Sequence, residues 1–195
     1  MTTSLLVVRE YIRNFYVKYE EYVVPGLKFL LALVSLLLIN GQLGYMSQIN
    51  GMAVVLITSL ICSFMPKNFT LFAAAGFVTL HLYEVSLECA GVALVVFLLL
   101  FLLYFRFTPK GGVLVMITPL LFVLRIPYAA PIVAGLLGVP LSAVTVVCGV
   151  VVYYLIHYMS MNASLLSSAA ADSMLTRIRE ILDGVFGNRE MLIIA

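Results

Sequence analysis

Apolar residues recur at three- and four-residue steps in the first segment of the chain. Between residues 5 and 23 they form one face of a helix, and charged residues lie off that face. The pattern predicts an N-terminal amphipathic helix within 1–23 that lies in the lipid headgroup layer or packs on the protein itself. The predicted apolar face comprises Val8, Tyr11, Ile12, Phe15, Tyr16, Tyr19, Tyr22 and Val23.

Between residues 24 and 160, long apolar stretches alternate with short polar turns. A stretch of roughly 20 apolar residues spans a bilayer, and shorter ones suffice where the bilayer thins. The sequence therefore predicts an all-α, polytopic membrane bundle with about six transmembrane helices. The predicted spans cover residues 24–41, 52–66, 69–86, 89–107, 113–126 and 140–160.

Composition supports lipid as the solvent of this chain. It is 64% hydrophobic and 10% charged, whereas soluble domains are roughly 45–50% apolar and about 25% charged. A net charge of +2 gives no reason to expect a nucleic-acid partner. No phosphate-binding loop or hydrolase motif is present, so neither an enzyme nor a cofactor is expected. The three cysteines lie in apolar runs and predict buried residues without a metal.

Basic residues predict the orientation, because Lys and Arg favour the cytoplasmic side. With the N-terminus inside and six spans, both termini are cytoplasmic, and ten of the eleven basic residues fall inside. Arg125 alone lies outside. The predicted cytoplasmic residues are Arg9, Arg13, Lys18, Lys28, Lys67, Arg106, Lys110, Arg177, Arg179 and Arg189.

The region 161–195 predicts a second amphipathic helix. Asp172 or Ser173 is a candidate helix cap, and Gly184 or Gly187 a candidate stop. The final residues, REMLIIA, predict either a packed terminus or the start of a further span, and we favour the span. The predicted apolar face of the helix comprises Met174, Leu175, Ile178, Ile181, Leu182 and Val185.

Prolines and glycines interrupt the hydrocarbon between residues 124 and 140. This segment is too short for a full span, and a further crossing would move the C-terminal arginines outside. It predicts a half-helix over 127–140 near the outer face, built either for packing or for a transport site. The residues that define the broken helix are Pro127, Pro131, Gly135, Gly138 and Pro140.

Four ionisable residues form a candidate polar or ion site. His81, Glu84 and Glu88 are spaced three and four apart, which predicts one helical face at the outer end of spans three and four. Such a group is either an interfacial polar cluster or a proton or cation relay. Because an arginine near hydrocarbon is costly, Arg125 is predicted to approach Glu84 or Glu88.

The segment PYAAPIVAGLLGVPLSA resembles the Pro/Gly-rich turn between helices in the substrate-binding subunits of energy-coupling-factor vitamin transporters. This resemblance covers under a tenth of the chain, assigns no residue and favours transport. We expect a multi-pass protein of a bacterial cell membrane that transports an unknown solute or serves as a membrane subunit of a transport or export complex. The alternative is a scaffold that recruits a membrane or cytoplasmic partner through its terminal helices; oligomeric state is left open.

Overall fold

The computed structural model describes residues 7, 10, 11, 18–66, 68–108, 111–136, 142–168, 174–187, 191 and 193, and this part of the chain is all-helical. Most of the predicted N-terminal helix lies outside these residues, as do Gly138, Pro140 and the candidate caps Asp172 and Ser173. The described helices are α1 (Glu20–Gln42), α2 (Met52–Phe64), α3 (Phe69–Val85), α4 (Leu87–Phe107), α5 (Gly112–Val123), α6 (Ala129–Leu136), α7 (Ser142–Ser168) and α8 (Met174–Phe186).

Three helices in the described chain are long and apolar enough to cross a membrane, which indicates a membrane protein. They are α1, α4 and the part of α7 from residue 142 to 164. The apolar helices α2, α3 and α5 are shorter, with 13, 17 and 12 residues. At 1.5 Å per residue, α2 and α5 are only about 20 Å and 18 Å long, against about 30 Å of bilayer hydrocarbon.

The first helix begins earlier than the sequence predicted. The sequence predicted a first span over residues 24–41, but α1 runs from Glu20 to Gln42 and continues through Pro25. Pro25 is the sixth residue of α1, so it removes one backbone hydrogen bond, to the Glu21 carbonyl, close to the start of the helix. Its carbonyl also accepts a hydrogen bond from the Ser63 hydroxyl at 2.7 Å, which ties α1 to the end of α2.

The core lies where α3, α4 and α7 meet. Ala93 and Val150 are fully buried there, and Leu155 is nearly so. Small residues on α4 and α7 allow the helices to approach closely, as in other membrane bundles. These three helices form the framework around which α1, α5, α6 and α8 pack.

Each of the first five helices connects opposite ends of the bundle. We call the end that holds Pro25, Ser63 and Tyr104 the proximal end, and the end that holds Asn40 and His81 the distal end. At the proximal end, Tyr104 donates a hydrogen bond to Asn68, linking the end of α4 to the start of α3. At the distal end, His81 of α3 contacts Asn40 of α1.

The direction of α7 differs from the sequence-based prediction, which made it antiparallel to α5. Thr145, near the start of α7, donates to Thr108 at 3.0 Å and so lies at the proximal end. Ser160, further along α7, donates to the carbonyl of Gln42 at the distal end. Helices α5 and α7 are therefore parallel. The short helix α6 participates in this return, since Ser142 donates to the carbonyl of Ala134.

The parallel arrangement also places the C-terminal helix differently from the prediction that both termini share one side. Helix α8 packs against α4 and the later part of α7, where the Tyr158 hydroxyl donates to the Glu180 carbonyl. The helix occurs where the sequence predicted it, and Ile181 and Val185 of its apolar face are buried. Leu182, assigned to the same face, is instead 37% exposed.

Candidate functional site

His81 is a buried structural residue in this fold. Its Nδ1 accepts a hydrogen bond from the Met46 backbone N–H at 3.2 Å, and its Nε2 lies 2.8 Å from Asn40 Oδ1. A nitrogen that accepts from an N–H carries no proton, so the ring is neutral and Nε2–H donates to Asn40. The side chain is completely buried, and both ring nitrogens are satisfied.

The predicted helical face of His81, Glu84 and Glu88 is not formed. Helix α3 ends at Val85, and Ser86 adopts an extended conformation before α4 begins. His81 faces the interior, whereas Glu84 is exposed and Glu88 belongs to the first turn of α4.

The break has a local cause that the sequence contained. The Ser86 hydroxyl accepts a hydrogen bond from the Cys89 backbone N–H at 3.1 Å, as an N-cap does. Glu88 in the first turn adds a favourable interaction with the positive end of the helix. A serine followed by an acidic first turn is a helix-start signal, and it lies at the boundary between the spans predicted over 69–86 and 89–107.

Arg125 also has a local role in the structure. Its backbone N–H bonds to the Phe122 carbonyl and the N–H of Ile126 to the Leu121 carbonyl, which together form a Schellman C-cap for α5. The residue at the centre of this cap takes a positive φ, here 60°. The side chain is exposed, and within the described residues it forms no ion pair with Glu84 or Glu88.

The broken-helix segment contains a short helix, α6, as the sequence predicted for 127–140. Pro131 lies in its first turn, where the missing N–H is tolerated. Ala130 and Ala134 are buried in the core cluster, so the small residues allow α6 to pack closely. Gly135 faces open space. These contacts favour the packing interpretation of the segment over a site built from helix ends.

The described interior also contains a cavity that the sequence did not predict. It measures about 90 Å³ and lies between α1, α3, α4, α5 and α7. Apolar atoms form most of its wall, and the polar side chains that reach it include Ser35 and Tyr104. Residues that contribute apolar surface include Leu38, Ala74, Val78, Phe97, Phe101, Met116 and Val152.

Two hydroxyls that line this cavity bond within the protein, and the Gln42 side chain lines it as well. Ser35 donates to the Leu31 carbonyl in its own helix, and Tyr104 donates to Asn68. Because these hydroxyls already have partners, the cavity offers a mainly apolar surface. Such a surface suits hydrocarbon groups better than ions.

Among the described residues, no group of three or more His, Cys, Asp or Glu side chains is placed to hold a metal ion. The three cysteines are buried free thiols, as the sequence predicted. Comparisons with protein families, curated proteins and solved structures find no match to this chain. The geometry of the bundle is therefore the basis for a functional proposal.

Proposed function

We propose that this chain is a multi-pass membrane protein that binds an apolar or amphipathic solute inside its helical bundle. It acts as a transporter, or as the membrane subunit of a transport or export complex, for that solute. The observation that carries this proposal is the apolar cavity of about 90 Å³ lined by five helices. An apolar cavity in a protein stays dry and accepts small apolar molecules.

The lining of the cavity supports a solute with an apolar portion. A permeating ion needs coordinating groups or water along its path. The Ser35 hydroxyl is already bonded to a carbonyl of its own helix, and the Tyr104 hydroxyl donates to Asn68. A hydrocarbon group loses no hydrogen bonds in such a chamber, so we favour a solute with at least one apolar portion.

The proposed location is a bacterial cell membrane, with the proximal end facing the cytoplasm. Basic residues favour the cytoplasmic side. In the sequence, seven of the eleven precede α1, belong to α1 or α4 near the proximal end, or fall between helices that meet at that end. Helix α8 would then face the opposite side, because α5 and α7 are parallel. The seven residues are Arg9, Arg13, Lys18, Lys28, Lys67, Arg106 and Lys110.

A substitution that fills the cavity tests the proposal. Ser35→Leu adds apolar volume at the wall, and it leaves the Leu31 carbonyl with its helical hydrogen bond. We expect wild-type protein released from its native membrane to retain an apolar molecule in native mass spectrometry, and Ser35→Leu to lose it. The flux of the molecule identified by its mass, measured in proteoliposomes, then separates transport from binding alone.

Thr58→Leu is a matched control for this experiment. Thr58 makes the same type of hydrogen bond, to the Val54 carbonyl of its own helix, and it lies on α2 outside the cavity. It should retain the solute as wild type does. Equal retention by Ser35→Leu, or no retained molecule in any variant, would contradict a solute-binding bundle.

A scaffold that recruits partners is the second candidate, and the dry interior is the observation that favours it. Against it, Ile181 and Val185 of α8 are buried against the protein's own helices and offer no apolar surface to a partner. A stable complex with a partner protein that persists in the Ser35→Leu variant, together with no solute flux in proteoliposomes, would support the scaffold.

A further inference from the structure

A groove runs along the outside of the bundle between α3 and α4. It measures about 430 Å³ and is open along one side. Phe72 and Phe105 contribute to its walls and are 46% and 40% exposed, and Leu98 and Leu102 are more exposed still. The floor includes Gly76, which is exposed in the middle of α3. The groove is distinct from the interior cavity, although Phe101 contributes to both.

Gly76 leaves open space along the floor of the groove. Glycine inside a helix costs roughly 0.8–1.0 kcal/mol relative to alanine. No atom lies within 4 Å of a Cβ built at Gly76, and its φ lies outside the left-handed range, so neither packing nor backbone geometry in the described chain requires glycine. The space that the missing side chain leaves is available to a ligand.

The shape of the groove fits a hydrocarbon chain better than another helix. On α4 the lining extends from Leu94 to Phe105, a distance of about 16 Å at 1.5 Å per residue. Half of a bilayer core of about 30 Å is nearly the same length. A helix is about 10–12 Å across and packs against small residues, whereas Phe72, Leu98 and Phe105 make these walls bulky.

The positively charged Arg106 lies one helical turn beyond Leu102, at the proximal end of the groove. Leu98, Leu102 and Arg106 are four residues apart, so they follow one row along α4. Arg106 is exposed in the last turn of α4 and forms no ion pair with a described residue. Its guanidinium group can donate two parallel hydrogen bonds to a phosphate group.

We propose that this groove binds an anionic phospholipid, with one acyl chain along Gly76 and the phosphate at Arg106. The acyl chain belongs to the leaflet at the proximal end, because Arg106 lies there. The site does not depend on the solute proposed for the interior cavity, since the lipid remains on the outer surface.

The absence of tryptophan from the chain allows a direct test. A single tryptophan replaces Phe72 in the groove, and detergent-solubilised protein is titrated with phosphatidylglycerol brominated on its acyl chains. We expect saturable quenching of this tryptophan. A tryptophan that replaces Phe64, which is 80% exposed on α2 and outside the groove, should report only the lipid fraction of the micelle.

Two groove variants in the Phe72→Trp background identify the parts of the site. Gly76→Leu fills the floor and should weaken lipid binding by roughly tenfold, about 1.4 kcal/mol. Gly41→Leu is its control, because Gly41 also has open space at its Cβ and lies on α1. Arg106→Gln should remove the preference for brominated phosphatidylglycerol over brominated phosphatidylcholine.

Thr79→Leu is a second filling variant if Gly76→Leu does not fold, since the Thr79 hydroxyl bonds only within its own helix in the described structure. Identical quenching of the two tryptophans, or unchanged binding in the filled variants, would overturn the site. If filling the groove changes the oligomeric state in place of lipid binding, the occupant is a second copy of the chain and the proposal is wrong.

Discussion

The Nε2 atom of His81 lies 2.8 Å from the Oδ1 atom of Asn40, where α3 meets α1. The opposite ring nitrogen accepts the Met46 N–H, and the Asn40 side-chain amide donates to the Ile49 carbonyl. One imidazole therefore joins two helices to the connection between α1 and α2. A residue that the sequence offered as a relay serves in the structure to hold the distal end together.

Replacing His81 with leucine should destabilise the bundle. The change removes the partner of the Asn40 side-chain oxygen Oδ1 and of the Met46 backbone N–H. Each buried group left without a partner lowers the free energy of unfolding by about 1–3 kcal/mol. Thermal unfolding in detergent measures this loss. Tyr83→Leu on the same helix is the control, because Tyr83 is 59% exposed. Equal stability of the two variants would mean that the His81 hydrogen bonds contribute nothing.

Helix α8 should be accessible from the side of the membrane opposite the start of α1. In a background without Cys62, Cys89 and Cys148, an impermeant maleimide should label cysteines at Ser47 and Glu180 from one side, and a cysteine at Glu20 from the other. The reason is that Ser160 of α7 lies beside Gln42 at the distal end. Labelling of positions 20 and 180 from the same side would restore the six-span topology.

Gly149→Ala should weaken the contact between the parallel helices α5 and α7. A Cβ at this position would lie 2.5 Å from Thr118 Cβ and 3.0 Å from the Val115 carbonyl oxygen. Overpacking of this kind costs typically 1–3 kcal/mol. Thermal unfolding should show the loss, whereas Gly91→Ala, where the Cβ position is open, should be neutral or stabilising. A neutral Gly149→Ala would contradict the close packing of α5 on α7.

Helix α8 should undock when Ile181 becomes aspartate. Ile181 is 1% exposed and Leu182 is 37% exposed, so an unpaired charge is buried only in Ile181→Asp. Limited proteolysis of the detergent-solubilised protein should cleave α8 faster in Ile181→Asp than in Leu182→Asp. If both variants are cleaved equally, the helix does not bury the face seen here.

Arg125→Gly should preserve or increase stability. A non-glycine residue in the left-handed region costs roughly 1–2 kcal/mol, and Arg125 has φ 60° in the C-cap of α5. The glycine also gives the unfolded chain more freedom, so the net gain is smaller than this cost. Arg125→Val should destabilise the cap, because β-branched residues rarely adopt positive φ. Thermal unfolding of the two variants gives the order, and a loss in Arg125→Gly would indicate that the side chain has a stabilising partner.

Local patterns were sufficient to predict most of the helices. Apolar runs identified helices α1 to α5 within a few residues and α7 except for its later end at Ser168, and the prolines at 127 and 131 identified a short helix. Periodicity also located α8, because an amphipathic helix shows apolar residues at three- and four-residue steps with polar residues between them. The start of α1 at Glu20 was missed, and so was the consequence of the helix end at Val85, which separates His81 and Glu84 from Glu88.

Which helices run parallel, and which side chains meet, depended on contacts between distant residues. Thr145 lies beside Thr108, and this pairing reverses the position of α8. The charge pattern favoured the opposite topology. It compares only the number of basic residues on the two sides of the membrane and contains no information about which helices pack together. The interior cavity forms between side chains of helices that are far apart in the sequence. The outer groove forms between side chains of α3 and α4, which pack side by side. Composition and periodicity determine that these residues are apolar, and only tertiary packing decides where the space between them remains unfilled.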